Sequence, residues 1–346
     1  MATPRTYREA GVDVAEAERA VERIGRAAAA TLTPAVLGGV GGFGGLFRFD
    51  PTTHADPILV SSTDGVGTKL KVALGLGRHD TIGVDLVNAC VNDIVVTGAD
   101  PLFFLDYLAV GNLRADVVEQ IVGGVAAGCA AAGIPLIGGE TAELPDLYRD
   151  DDYDLAGFVV GVVARDDLID GARVRPGDVL IGIPSSGLYT NGYSLARAVL
   201  PPDTWPRRMP NDEGRTIGDA LLEPHRSYLD DVRVLRRALR AAGADIGALA
   251  HITGGGWEGN VPRTLPDGLG VEVDTGSWPV PSIFTVIQQR GDIADEEMVR
   301  TFNVGIGLTA VVPADATDAA LAAIGDARRI GLVVEVPAGE PRVRFA

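Results

Sequence analysis

The chain has 346 residues, with 30 Lys and Arg against 47 Asp and Glu, and a formal net charge of −17. That length suggests roughly two domains and is ample for apolar cores that need no metal or disulfide staples. The acidity argues against nucleic acid or an anionic membrane as partner, since both recognise basic patches; an acidic chain that handles phosphate must do so through metal ions or a few placed cations.

Met1–Ala10 lacks the apolar run of a signal peptide, so the chain reads as soluble and cytoplasmic. Asp13 and Glu16 fit a capping box, after which Val14, Val21 and Ile24 share one helical face. Gly38–Gly45 formally contains G-x-G-x-x-G, but it follows a helical pattern through Thr33-Pro34 and not a strand. A dinucleotide fingerprint is therefore rejected in favour of a loop that either approaches a ligand or simply turns. Ile58–Val60 predicts a short strand, Thr81–Gly98 a helix, Leu102–Ala109 a strand, Asp116–Gly133 a helix, and Leu136-Ile137 a strand running into Gly138–Glu143. The uncharged stretch Ile121–Gly139 is mostly Gly and Ala, and Pro135 splits it, so a membrane span is not expected. Cys90 and Cys129 lie in apolar helical segments as small buried residues, without disulfide or zinc spacing.

Leu155–Ala164 is a further strand, and the charged, turn-rich Arg165–Asp178 carries the domain boundary, giving domains 1–168 and 169–346. The second half begins with a strand at Val179–Ile183, then Pro184-Ser185-Ser186-Gly187 and a helix from Asn191. Pro201–Gly214 reads as a surface loop, Pro224–Ala242 as a long amphipathic helix, and His251–Gly256 as a loop. Strands near Gly270–Val273, Gly305–Val312 and Leu332–Val336 alternate with helices near Ser282–Gln289 and Ala316–Gly325. Both halves are thus mixed α/β.

The helix at Thr81–Gly98 is apolar nearly throughout, yet Asp85, Asn88 and Asn92 form one stripe with Asp93 beside them. Polar groups in a buried helix need partners, so the stripe is either a structural hydrogen-bond network or a metal or nucleotide site. In Thr63–Lys69 a carboxylate at a strand end, Asp64, precedes Gly65, Gly67 and the pair Thr68-Lys69. This suits Mg²⁺ and phosphate, although it is not a Walker A loop and a plain turn is the competing explanation. Gly138-Gly139-Glu140-Thr141 repeats the design of strand, glycines and acid. Asp64, Asp93 and Glu140 can together hold Mg²⁺ on a triphosphate, and the three are expected to converge in one cleft. Asn191-Gly192, at a helix start, is a candidate anion site. His251, before three glycines, is a candidate catalytic residue, with a structural role as the alternative. No nucleophile constellation occurs, which favours positioning and electrostatics over covalent catalysis.

With these residues assembled, the chain resembles the phosphoribosylformylglycinamidine cyclo-ligase (AIR synthetase) family from Tyr7–Asp13 to its last strand. The motifs that carry the resemblance are Thr63–Lys69, Cys90–Asp93, Pro101–Tyr107, Gly138–Glu143, Asn191–Ser194, His251–Gly256 and Thr301–Asn303. The resemblance implies two mixed α/β domains, the first contributing strands to an intersubunit barrel, and a homodimer. It implies ATP and Mg²⁺, with a monovalent cation as a further candidate, and a small ribonucleotide substrate. Asp64, Asp93, Glu140 and His251 would be catalytic. Gly65, Gly67, Thr68, Lys69, Asn92, Gly138, Gly139, Thr141, Asn191 and Gly192 would bind the nucleotide.

The implied reaction phosphorylates the formyl amide oxygen of formylglycinamidine ribonucleotide, turning a poor leaving group into phosphate before the amidine nitrogen closes the ring. The sequence departs from the family pattern at Tyr189, where members usually carry His, at Gly25 for Lys, at Ser62 for Gly and at Val304 for Cys. A phenol at Tyr189 calls phosphate contact at that position into question, and the helix start at Asn191 is expected to hold the phosphate instead. A paralogous amide-activating cyclase of specialised metabolism and a non-catalytic nucleotide-binding scaffold are the alternatives.

Overall fold

The structure is a computed structural model that describes Thr6 and residues 13–39 and 42–346, the side chain of Glu213 excepted. Residues 7–12, where the family resemblance begins, and Val40 and Gly41 of the glycine-rich stretch lie outside the described residues. The chain divides into two compact units, residues 1–94 with 100–162 and residues 95–99 with 163–346.

The first unit runs α1 (Val14–Ala29), β1 (Pro57–Gly65), α2 (Leu70–Leu76), α3 (Ile82–Val95), β2 (Asp100–Val110), α4 (Ala115–Ala132), β3 (Leu136–Glu143) and β4 (Tyr153–Ala164). Its sheet has the order β1-β4-β2-β3, with β2 and β3 parallel and β2 and β4 antiparallel. A parallel pair needs a long crossover, and α4 supplies it. One face of the sheet buries Phe104, Leu108, Leu155 and Val159. The helices press closely on it and on each other. A side chain at Gly157 would strike Phe104 and Leu86 of α3, and one at Gly83 would strike the α4 backbone at Val125. The Gly and Ala content of α4 thus serves helix–helix contact. The helix is long and apolar enough to cross a membrane by length and composition, and more than half of it is buried within the fold. The opposite sheet face leaves Leu59, Tyr107 and Phe158 exposed.

The capping box at α1 is only half formed. The Asp13 carboxylate accepts from the Ala15 and Glu16 N–H groups, but Glu16 does not reach back. Its Oε1 instead accepts from the Ala115 N–H at 2.8 Å, capping α4. The Asp13 N–H donates to Glu143 Oε2 at 3.1 Å. The apolar face expected of α1 is not core either: Val14 and Val21 are 52% and 60% exposed, and Ala20 and Ala28 are the residues it buries.

The second unit contains β5 (Val179–Pro184), α5 (Tyr193–Val199), β6 (Arg208–Met209), β7 (Asp212–Thr216), α6 (Ile217–Leu221), α7 (Leu229–Ala241), β8 (Ala248–His251), α8 (Gly256–Asn260), β9 (Leu269–Val273), α9 (Ser282–Gly291), α10 (Asp295–Thr301), β10 (Ile306–Val312), α11 (Thr317–Ala323), β11 (Arg328–Glu335) and β12 (Val343–Phe345). Its six-stranded sheet has the order β12-β9-β11-β5-β10-β8. Val271, Val273, Ile306, Ile330 and Val333 pack with Trp257 and Trp278 in one core cluster. Two local expectations change, and one helix, α10, is additional to those expected. The Pro201–Gly214 segment is not a plain surface loop: it holds most of the β6–β7 hairpin, and Trp205 is buried with its Nε1 donating to Leu200 O at 2.9 Å. The short α10 carries one buried residue, Met298, too little to show a helical period, and its acidic first turn suits a helix N-terminus. His251 is not in a loop but ends β8, paired with Leu308 of β10.

Candidate functional site

The first unit concentrates the sequence motifs at its sheet. Ser62 and Asp64 alternate along β1 toward α3. The Ser62 hydroxyl donates to Asp93 Oδ2 at 3.2 Å, and the Gly65 N–H donates to Asp64 Oδ1 at 2.7 Å. Both carboxylates act on Cys90: burial first, then the charges of Asp64 and Asp93, push its thiol far above its ordinary range. A thiol held neutral in this way is no nucleophile. Asp64 and Asp93 therefore stand together at one end of β1, with the exposed Gly67 and Thr68 following in the turn to α2. Ser62, one of the departures from the family pattern, is a hydrogen-bond donor to this pair.

Glu140 does not join them. Its strand, β3, is the far edge of the sheet from β1, and Glu140 is in register with Tyr107 of β2, which in turn faces Ala156 of β4. Three strand spacings, roughly 14 Å, separate it from Asp64. The two also face opposite ways, Asp64 toward α3 and Glu140 toward the side that exposes Tyr107. The expected convergence of Asp64, Asp93 and Glu140 is thus corrected to a pair. Among the described residues no group of three or more His, Cys, Asp or Glu could hold a metal ion. Two carboxylates still fit Mg²⁺, which keeps several waters and takes its remaining ligands from phosphate, so the donor chemistry of Asp64 and Asp93 is suitable without Glu140.

Lys69 is also relocated. It is fully buried, and its Nζ lies 2.7 Å from Asp85 Oδ2, itself fully buried. The polar stripe on α3 points inward: Asp85 and Asn92 are 0% exposed and Asn88 is 8% exposed. Lys69, expected on phosphate, instead neutralises a charge that α3 would otherwise bury, and Asn92 sits too deep for direct contact with a nucleotide.

Gly138, Gly139, Glu140 and Thr141 line a cavity of about 490 Å³ at the β3 edge. Residues from α1 and Gly42–Gly45 complete its wall, and Gly25 is among them. Asp106, from β2, also lines it, and burial pushes its carboxyl up to about 7. Asp106 stands within the motif Pro101–Tyr107 and was not among the candidate site residues. A lone acid between Leu105 and Tyr107 in a strand pattern was the available signal.

The second unit gathers its motifs at one end of the six-stranded sheet. Asn303 accepts from Ser185 Oγ and the Gly305 N–H and donates to Gly187 O, each at 2.9 Å. Asn260 Nδ2 donates to Gly254 O at 3.2 Å and to Gly256 O at 2.7 Å. These buried amides hold the Ser185–Gly187 and Thr253–Gly256 turns in fixed shapes. The helix expected from Asn191 starts at Tyr193; Gly192 is its N-cap at φ 73, a left-handed conformation that favours glycine, and the helix is only seven residues long.

Tyr189 and His251 lie beneath this surface. Tyr189 is 0% exposed and stacks on His225 with ring centroids 3.7 Å apart; its hydroxyl hydrogen-bonds Tyr228, which donates to Pro184 O at 2.9 Å. His251 is 5% exposed, with Nε2 2.9 Å from His225 Nε2. Tyr189, where the departure from the family's His called phosphate contact into question, is too deeply buried to reach a phosphate. His251, a candidate catalytic residue, is a member of the same buried cluster, in ring contact with Tyr189, His225 and Tyr228.

Comparison with known proteins places these features in a family. Residues 45–163 match the model of the AIR synthase related protein N-terminal domain, and residues 175–344 match the corresponding C-terminal domain. The chain is 54% identical over 341 residues to a phosphoribosylformylglycinamidine cyclo-ligase of Anaeromyxobacter sp. (strain Fw109-5), covering 97% of each chain. It is 51% identical to the protein of that name from Xanthomonas oryzae pv. oryzae (strain PXO99A), covering 98% of this chain and 99% of the other. Among solved structures, the hydrogenase maturation protein HypE in complex with ATP is similar at a TM-score of 0.67 and 19% identity, covering 95% of this chain and 91% of that one. A thiamine-monophosphate kinase from Stenotrophomonas maltophilia K279a is similar at a TM-score of 0.64 and 18% identity, covering 94% and 95%. These last two likenesses concern the fold.

Proposed function

Because the chain belongs to the phosphoribosylformylglycinamidine cyclo-ligase family, we propose that it closes the imidazole ring of aminoimidazole ribonucleotide at the expense of ATP, in the cytoplasm. The observation that carries the reading is the 54% identity spread over 97% of both chains, across both domains. The γ-phosphoryl group passes to the formyl amide oxygen. The amidine nitrogen then bonds to that carbon, the C–O bond to phosphate breaks, and the nitrogen gives up its proton.

Asp64 and Asp93 would hold Mg²⁺, which when bound neutralises phosphate charge and orients the triphosphate. The Gly67 N–H and the Thr68 hydroxyl supply hydrogen bonds to phosphate oxygens beside that pair, while the Gly65 N–H holds Asp64 Oδ1 in place. In the second unit the turns fixed by Asn303 and Asn260, with Asn191 and Gly192, offer donors for the ribonucleotide. Holding both reactants in a fixed geometry is the chief work of such a site, since ring closure is intramolecular once the oxygen is activated. The test is direct: purified protein with Mg·ATP and formylglycinamidine ribonucleotide should yield aminoimidazole ribonucleotide, ADP and phosphate in equal amounts. ATP turnover independent of that substrate, or none at all, would overturn the reading. The feature that would favour a paralogous cyclase is Tyr189, and it is fully buried in the core.

We further propose a homodimer joined through the first unit. Its sheet has exposed apolar side chains on one face, Leu59, Tyr107 and Phe158, and two edge strands, β1 and β3. A second copy would cover that face and pair those edges, as a closed barrel does. Sedimentation equilibrium should give twice the chain mass at micromolar concentration, and Phe158→Glu should shift it toward the monomer. A stable wild-type monomer would refute the assembly.

A further inference from the structure

The cavity at the β3 edge has a composition that selects its occupant. Val21, Ile24 and Ala28 of α1 and Leu136 and Ile137 of β3 are among the residues that line it. Among the described residues its lining contains no Lys, Arg or His, and the ionisable groups there are Asp106 and Glu140. Glu140 is exposed, whereas Asp106 is partly covered. The glycines of β3 make the Asp106 carboxyl accessible: a side chain on Gly139 would collide with Asp106 Oδ1. Among the described residues no cation and no side-chain donor reaches that carboxyl, and its own backbone N–H is the one hydrogen bond it accepts. An apolar slot without cations is a poor place for phosphate and a good one for a flat heterocycle.

We propose that Asp106 reads the base of the nucleotide co-substrate, its carboxylic acid pairing with the adenine edge formed by N1 and the exocyclic amine. This assignment rests on the ATP-dependent reading above and adds a specificity residue to it. The protonated acid donates to N1 while its carbonyl oxygen accepts from the amine, so both polar groups of that edge are satisfied. The ionised form has no proton for N1 and sets two lone pairs against each other. The neutral acid is the form the cavity favours, since burial pushes Asp106 up to about 7. The groups that face it are few. Cys129 of α4 is itself held neutral by burial, Glu140 of β3 lies at the rim, and α1 and Gly42–Gly45 contribute no ionisable side chain to the wall. The same N–C–N arrangement occurs in the amidine of the ribonucleotide substrate. The apolar walls favour the base, because a protonated amidine would prefer an ionised, solvated carboxylate.

The experiment compares wild type, Asp106→Asn and Asp106→Leu by calorimetric titration with ATP and with adenosine, and by KM for ATP and for the ribonucleotide between pH 6 and pH 9. An asparagine amide presents a donor and an acceptor as the neutral acid does. Asp106→Asn should therefore bind ATP within a few-fold of wild type, and Asp106→Leu should bind at least tenfold more weakly. Above about pH 7 the wild-type affinity for ATP should fall, by up to tenfold per pH unit as the acid ionises, while the Asn variant stays flat. Equal ATP affinity in Asp106→Leu and wild type overturns the proposal. So does a loss confined to the ribonucleotide's KM, which would assign Asp106 to the substrate amidine. Failure of wild type to bind ATP at all would refute the functional reading along with it. Circular dichroism and the melting temperature of Asp106→Leu separate a lost contact from a lost fold.

Discussion

Replacing Lys69 by Met is expected to destabilise the protein by about 3–5 kcal/mol, the usual consequence of leaving a buried charge without its partner. Lys69 and Asp85 are both 0% exposed and 2.7 Å apart. Once the ammonium is gone, Asp85 must either stay ionised in the interior or take up a proton on folding. Both routes are unfavourable at neutral pH, and the second makes the variant relatively more stable in acid. Changing both residues, Lys69→Met with Asp85→Leu, should recover most of the loss, because apolar replacement of a whole buried ion pair is often close to neutral. Denaturant unfolding of the three variants measures this. A Lys69→Met protein that unfolds at the wild-type midpoint but has lost turnover would show that Lys69 works on phosphate and not on the fold.

Asp64→Asn and Asp93→Asn are expected to lower kcat by about 10²–10³-fold, comparable to removing one preorganised group that meets developing charge. Asparagine preserves volume and can still accept from the Gly65 N–H or the Ser62 hydroxyl, so the fold should survive. The loss should be accompanied by a higher Mg²⁺ requirement, since a neutral amide is the poorer ligand for a hard cation. Glu140→Gln, on the far edge strand, should leave the Mg²⁺ requirement unchanged. Steady-state kinetics across a Mg²⁺ titration distinguishes the two cases. An equal response from Glu140→Gln and Asp64→Asn would mean that the three acids share one ion after all.

Much of the fold was legible because it is written in short range. The apolar run after Thr81, the Gly and Ala helix ended by Gly133 and Pro135, and the alternating strand at Leu155 each announce themselves within a dozen residues. The acidic motifs at strand ends were visible for the same reason. Elements with little apolar content, such as α10, escaped because Met298 alone cannot make a period. The half-formed cap at Asp13 escaped because Glu16 found a partner 99 residues away at Ala115.

The sequence by itself determined the family, the α/β class of both halves and the residue types available for Mg²⁺ and phosphate. Only the tertiary structure decided which of those residues meet. Asp64 and Glu140 close similar motifs, yet β4 and β2 come between their strands, and strand order is a property of long-range pairing that no local pattern states. Lys69 looked like a phosphate ligand until burial of α3 set it against Asp85, since the energy of a buried charge is fixed by what surrounds it. Tyr189 looked like a departure at a binding site and is part of a core, stacked on His225. Asp106 looked like one acid in a strand and lines a cavity whose walls come from α1 and β3, brought beside it by folding.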